Sequence, residues 1–249
     1  MGENLRIYTK RNLKHGFFEK FLYNFSVTKQ IITANIILFI LFTTLLTINS
    51  GFIDYIALKP SDVAGGKYLW TFATSMFMHA PAALIFPFSL LSFHLLINMF
   101  VLISLGSFCE KIIGRKRFLW FYIIAGLVSG AVFVLLSVFF ANFPFWEKVF
   151  GSPEIAGVGA SGAIFAVAGL LMVLIPKLKF TVIFFPFFSL PAYVMIPLVL
   201  FATWGVSAAS GLPVGNTAHF GGFLTGVIYG VYLRKKYSKK IKILNRYIG

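Results

Sequence analysis

The chain has 249 residues, of which 59% are hydrophobic, 18% aromatic and only 12% charged, with a formal net charge of +15. That balance excludes an ordinary soluble domain, in which about 25% of residues are charged, and describes an all-α polytopic membrane protein. A single cysteine, Cys109, excludes an internal disulfide and any Cys-rich metal site, and no metal or cofactor is expected.

In chain order, residues 1–29 form a basic segment in which Phe17, Phe18, Phe21, Leu22 and Phe25 recur at helical spacing. Such a stretch is expected to lie on the membrane surface as an anchor. It does not read as a cleaved signal, because the first apolar run is long and no small-residue cleavage site follows it. Crossing a hydrocarbon core of about 30 Å takes about 20 helical residues. Apolar runs near that length predict six spanning helices, near 30–50, 90–108, 118–140, 158–176, 190–209 and 217–233. They make one membrane domain over 30–233, without internal repeats, followed by a basic tail over 234–249. The approach to the fifth helix, KFTVIFFPFFSLPAYVMIP, is interrupted by Pro186, Pro191 and Pro197, each of which removes a backbone donor.

The segments 1–29, 111–117, 177–179 and 234–249 hold 19 of the 22 Lys and Arg, whereas the opposite side holds Lys59, Lys67 and Lys148. By the positive-inside bias both termini are expected in the cytoplasm, and the protein is expected in the plasma membrane of a prokaryote. The tail RKKYSKKIKILNR is accounted for by the same bias and by anionic lipid, so nucleic acid is not an expected partner.

Helices 2, 4 and 6 then enter from the opposite face, and their first residues share one depth. His94 and Asn98 sit four apart on one face of helix 2. Helix 4 opens Gly159-Ala160-Ser161-Gly162, and helix 6 opens TAHFGGFLTG with His219. Polar side chains inside spans are costly and face the protein interior or a water-filled cavity, so they are functional candidates. Each alone has a bland explanation: a packing serine, an interfacial histidine, an asparagine joining helices. Four at matching depth on three helices of one direction are hard to dismiss together. Small residues run down helix 6 as Gly222, Gly226 and Gly230 and down helix 4 as Gly159, Gly162, Ala166 and Gly169. That spacing lets two backbones approach closely and brings a hydroxyl within reach of an imidazole. Free N–H groups at the start of helix 4, with His94 and Asn98, can hold an oxyanion. None of the seven acids is placed to complete a triad, which predicts a Ser-His dyad.

The chain resembles the rhomboid family of intramembrane serine proteases. The resemblance is carried by GASG at 159–162, AHFGGFLTG at 218–226, His94 with Asn98, and LGSFCEKIIG at 105–114, and it spans about 68–230. It implies a six-helix rhomboid-like bundle, with Ser161 as nucleophile, His219 as its general base, and His94, Asn98 and the Ser161 N–H as oxyanion donors. Glu110 is implied to be a buried structural acid. Implied clients are membrane proteins with small residues or proline near the cut, entering past a mobile fifth helix rich in Phe184, Phe185, Phe187 and Phe188. Three departures stand out. Thr71 follows Trp70 where the family often has arginine, Phe165 stands in place of a tyrosine, and the apolar segment between His79 and His94 is long. The alternatives are a non-catalytic rhomboid-like binder of membrane helices and a small transporter or channel. The first usually lacks the serine or histidine, and the second is disfavoured by the absence of repeats.

Overall fold

The computed structural model describes residues 25–79, 93–182, 185–210 and 215–248. The surface segment around Phe17–Leu22 and the path from 80 to 92 lie outside the described residues. The long helices are α1 (Val27–Ile48), α2 (Phe93–Ile113), α3 (Arg115–Phe139), α4 (Ser161–Leu174), α5 (Ala192–Ser210), α6 (Asn216–Lys236) and α7 (Ser238–Ile248). The described chain is thus mostly helical. By length and composition α1, α2 and α3 can each cross a membrane, while α4 and α5 are apolar but shorter.

Local chemistry sets these boundaries. Gly114, at φ +87, separates α2 from α3, and α2 itself contains a π-turn over Leu102–Gly106. At φ +124, Gly159 delays the fourth helix, expected from 158, until Ser161. The proline-rich approach to α5 is not helical. Lys179–Val182 (β1) pairs antiparallel with Phe185–Pro191 (β2), Lys179 opposite Pro191 and Phe180 opposite Leu190. Phe185, Phe187 and Phe188, expected in a fifth-helix wall, therefore belong to a strand, and Phe184 lies outside the described residues. Aromatic and β-branched residues favour strands, and Pro186 and Pro191 interrupt a helix ladder, so the helix forms only from Ala192 onward, with Pro197 accommodated inside it.

The shortest of the apolar helices holds the centre. Residues of α4 on every side, including Ala163, Ala166, Val167, Leu170, Leu171 and Leu174, are buried. A helix apolar all round belongs inside a bundle. Around it pack Leu95 and Leu102 of α2, Phe118 and Tyr122 of α3, and Leu233 of α6.

Glu110, at the end of α2, fastens α1 to this core. Its carboxylate accepts from the Val27 and Thr28 N–H groups at 2.9 Å and from Thr28 Oγ1 at 2.8 Å. The first N–H groups of a helix have no partner within it, and a carboxylate there also meets the positive end of the helix dipole. Arg115 adds a hydrogen bond to the Phe25 carbonyl at 2.8 Å. Glu110→Ala leaves three donors without their acceptor and is expected to cost about 3 kcal/mol, against a smaller loss for Glu110→Gln. Thermal midpoints of the purified variants in detergent check this, and a Glu110→Ala midpoint equal to the parent's would contradict it.

Candidate active site

The start of α4 is held from the loop side. Leu58 and Gly157 exchange backbone hydrogen bonds of 3.0 and 2.8 Å, and the Gly159 N–H donates to the Ser75 carbonyl at 2.9 Å. Lys59 and Glu154 form an ion pair of 2.9 Å beside that bridge. Where the resemblance led to an expected arginine, Thr71 is buried with its hydroxyl on the Tyr68 carbonyl at 2.7 Å, and Trp70 Nε1 donates to Tyr55 at 3.0 Å.

The start of α6 is held by the outer helix Pro144–Phe150. Thr217 Oγ1 donates to the Phe150 carbonyl at 3.0 Å and Ser137 Oγ of α3 to the same oxygen at 3.3 Å. Between these anchors α4 and α6 meet backbone to backbone. A Cβ added at Gly222 would collide with the Gly162 carbonyl oxygen, and one at Gly226 with the Ala166 carbonyl oxygen. Ser129 of α3 wedges alongside: its hydroxyl donates to the Ala218 carbonyl at 2.6 Å and fills the space a Gly162 side chain would need.

This approach brings His219 Nε2 to 2.8 Å from Ser161 Oγ. For the hydroxyl to donate, the neutral imidazole carries its proton on Nδ1, which is buried and has no hydrogen-bond partner among the described residues. Phe165, one turn beyond Ser161, stacks on the imidazole with centroids 4.5 Å apart and planes at 27°.

His94 is the third member of the cluster. A Cβ on Gly159 would sit 2.9 Å from His94 Cε1 and 3.6 Å from Ser161 Oγ, so the His94 ring lies against the glycine backbone next to the serine. Asn98, buried one turn deeper, donates through Nδ2 to the His94 carbonyl at 2.8 Å, which spends one of its two N–H bonds inside α2. Sequence reasoning missed two neighbours. His79, fully buried in the loop, meets His94 edge-on at 5.1 Å, and burial, then the His94 charge, pushes its pKa down to about 3. Ser129 gave no sign beyond a hydroxyl inside an apolar helix. The polar residue closing an apolar run at His79 was the one sequence feature that could have marked the first.

Comparison with known proteins supplies the context. The Rhomboid domain family model matches residues 66–236. Rhomboid protein 1, mitochondrial, of Saccharomyces cerevisiae is 30% identical over 152 residues, covering 59% of this chain and 40% of that protein. The human presenilin-associated rhomboid-like protein, mitochondrial, is 29% identical over 145 residues, 56% of this chain and 34% of that one. RHOMBOID-like protein 5 of Arabidopsis thaliana is 30% identical over 147 residues, 58% and 41% of the two chains. The match thus spans less than half the length of these relatives. They are eukaryotic, and two are mitochondrial by name, which overturns the expectation of a prokaryotic plasma membrane with cytoplasmic termini. Lysine and arginine mark the side of a membrane on which loops remain, whichever membrane it is, so their distribution could not identify the compartment.

Gly159 tests how tightly the cluster is built. Gly159→Ala meets both the positive φ, worth about 1–3 kcal/mol of strain, and the His94 ring. It is expected to lower the thermal midpoint and to slow labelling of Ser161 by a serine-reactive phosphonate. Adding His94→Ala should return part of the midpoint but not the labelling. An unchanged midpoint in Gly159→Ala would rule out the tight contact.

Proposed function

The chain belongs to the rhomboid family, and on that premise we propose that it is a serine-type intramembrane endopeptidase working by a Ser161–His219 dyad within a six-span bundle over 30–233. The observation that carries the reading is the 2.8 Å contact between Ser161 Oγ and His219 Nε2 across two glycine-lined helices. A serine hydroxyl is a weak nucleophile, and a base in hydrogen-bond contact removes that weakness.

In this reading Ser161 Oγ attacks the scissile carbonyl of a client segment while its proton passes to His219 Nε2. The developing oxyanion is held by the Ser161 N–H, a His94 ring N–H and the second Nδ2 hydrogen of Asn98. Collapse of the tetrahedral intermediate breaks the C–N bond, and His219 returns the proton to the leaving amine. Water then attacks the acyl ester while His219 takes its proton, and as the C–Oγ bond breaks His219 returns that proton to Ser161 Oγ, freeing the serine and a new carboxyl group. Phe165 stacked on the ring supports a fixed imidazole plane during both transfers. No metal or nucleotide takes part. The names of the yeast and human relatives support a mitochondrial membrane as the setting.

A peptide bond in a stable helix is shielded, its carbonyl already hydrogen-bonded, so cleavage needs local unwinding of the client. Clients with Gly, Ala, Ser or Pro near the cut and a small residue just before it should therefore be preferred. Replacing those residues by Leu in a cleaved client is expected to slow cleavage strongly, and equal rates in lipid would contradict the preference.

Graded losses separate the roles. Ser161→Ala and His219→Ala should leave a folded protein at background activity. His94→Ala should lose on the order of 10² to 10³ in rate, about 3–4 kcal/mol, and Asn98→Ala less, because half its donor capacity is spent on its own helix. Rates are measured in lipid with saturating client. Turnover by Ser161→Ala would sink the dyad, and a folded parent that neither cleaves nor takes up the phosphonate would leave a client-binding protein instead.

A further inference from the structure

At the far end of α4 from Ser161 lies a cleft of about 290 Å³, lined by Pro176, Lys177, Arg234, Ser238, Ile241, Lys242 and Asn245. Three of those residues are cationic, two bring a hydroxyl and an amide, and no carboxylate lines it among the described residues. Cations gathered along one cleft with no acid among its lining residues set up a local positive potential that attracts an anion. We propose that this cleft binds the phosphate of an anionic lipid headgroup.

Position favours a headgroup over a soluble anion. The cleft is formed where α7 folds back against the ends of α4 and α6. The α7 residues Ile241 and Leu244 pack on the core beside Leu174, Ile175 and Leu233, whereas Lys239, Lys240 and Arg246 are exposed outside the cleft that Lys242 lines. A short helix with one apolar and one basic face at the end of membrane helices lies at the level of the headgroups. Basic pockets at such sites select anionic lipids by charge.

Two of the lining residues also end α4. Arg234 Nη1 donates to the Val173 carbonyl at 3.1 Å and Asn245 Nδ2 to the Leu174 carbonyl at 2.7 Å, satisfying carbonyls that a helix leaves open at its C-terminus. A phosphate held by Arg234 and Lys242 neutralises the charge gathered around that cap, so lipid binding and retention of the α4 end against α7 stabilise one another. This site is independent of the reaction proposed for Ser161.

The test uses the full chain in nanodiscs of phosphatidylcholine with or without phosphatidylglycerol, followed by release into mild detergent and native mass spectrometry of retained lipid. The variants are Lys242→Ala, Lys177→Ala with Lys242→Ala, and Lys239→Ala, the last removing an equal charge outside the cleft. The parent and Lys239→Ala should retain phosphatidylglycerol, and the double variant should retain about tenfold less. A second readout is the thermal midpoint, which phosphatidylglycerol should raise in the parent but not in the double variant. Inorganic phosphate added to phosphatidylcholine discs distinguishes the source: a midpoint raised by phosphate, with no lipid retained, upholds the cleft and makes its ligand the soluble anion. Equal retention in all variants, an equal loss in Lys239→Ala, or no effect of either lipid or phosphate overturns the assignment.

Discussion

Two helices that touch through their main chains have almost no freedom in where they sit. At Gly162–Gly222 and Ala166–Gly226 the carbonyl oxygens of α4 occupy the space where α6 would carry side chains. Side chains between helices normally act as adjustable spacers, able to change rotamer and so to pass small errors outward. Here the spacer is absent, and the separation is set by atoms whose positions follow from helix geometry alone. A hydroxyl on one helix and an imidazole on the other can then meet at 2.8 Å without either side chain being long enough to reach across a normal gap. The small residues do no chemistry, but the geometry of the polar pair depends on them.

That contact would be of little use if either helix could slide along its axis, and both are stopped at their outer ends. The loop holding Leu58, Lys59 and Ser75 grips the segment just before α4, and the Pro144–Phe150 helix receives Thr217 and Ser137 at the start of α6. By contrast α5 buries Ala192, Met195, Ile196 and Leu200 but presents Tyr193, Leu198, Val199 and Phe201 outward, and Trp204 ties it to the Val149 carbonyl. The bundle thus combines an interior pair joined through main chains with a peripheral helix that presents one apolar face outward.

Much of this was legible before any coordinates. The mostly helical membrane architecture, and the small-residue spacing that lets α4 and α6 meet, are periodic properties that a linear chain displays openly. What remained hidden depends on contacts between distant residues. Ser129 matters because of what lies opposite it, and His79 because a loop folds back onto His94. The segment rich in Phe185, Phe187 and Phe188 is apolar enough for a span, and apolarity alone does not distinguish a helix from a hairpin when prolines interrupt it. Nor does composition show that α7 turns back to build a cleft with Lys177. The identity of the membrane lay beyond reach for a different reason, since the same charge asymmetry arises wherever loops are translocated in one direction.

The π-turn of α2 resolves a problem of angular phase. Asn98 and Glu110 are both buried, one near each end of the same helix; the first bonds the His94 carbonyl within α2 and the second caps α1. Twelve residues of regular helix turn through about 1200°, which would leave the two side chains roughly 120° apart, one of them turned toward lipid. A π-turn behaves as an extra residue accommodated without extra rotation, absorbing on the order of 100°. Placed at Leu102–Gly106, between the two, it offsets most of that difference, in keeping with the burial of both side chains. Lengthening or shortening α2 by one residue within that interval would therefore act like a twist applied to half the helix, exposing either the amide or the carboxylate to hydrocarbon while leaving the composition of the span almost unchanged.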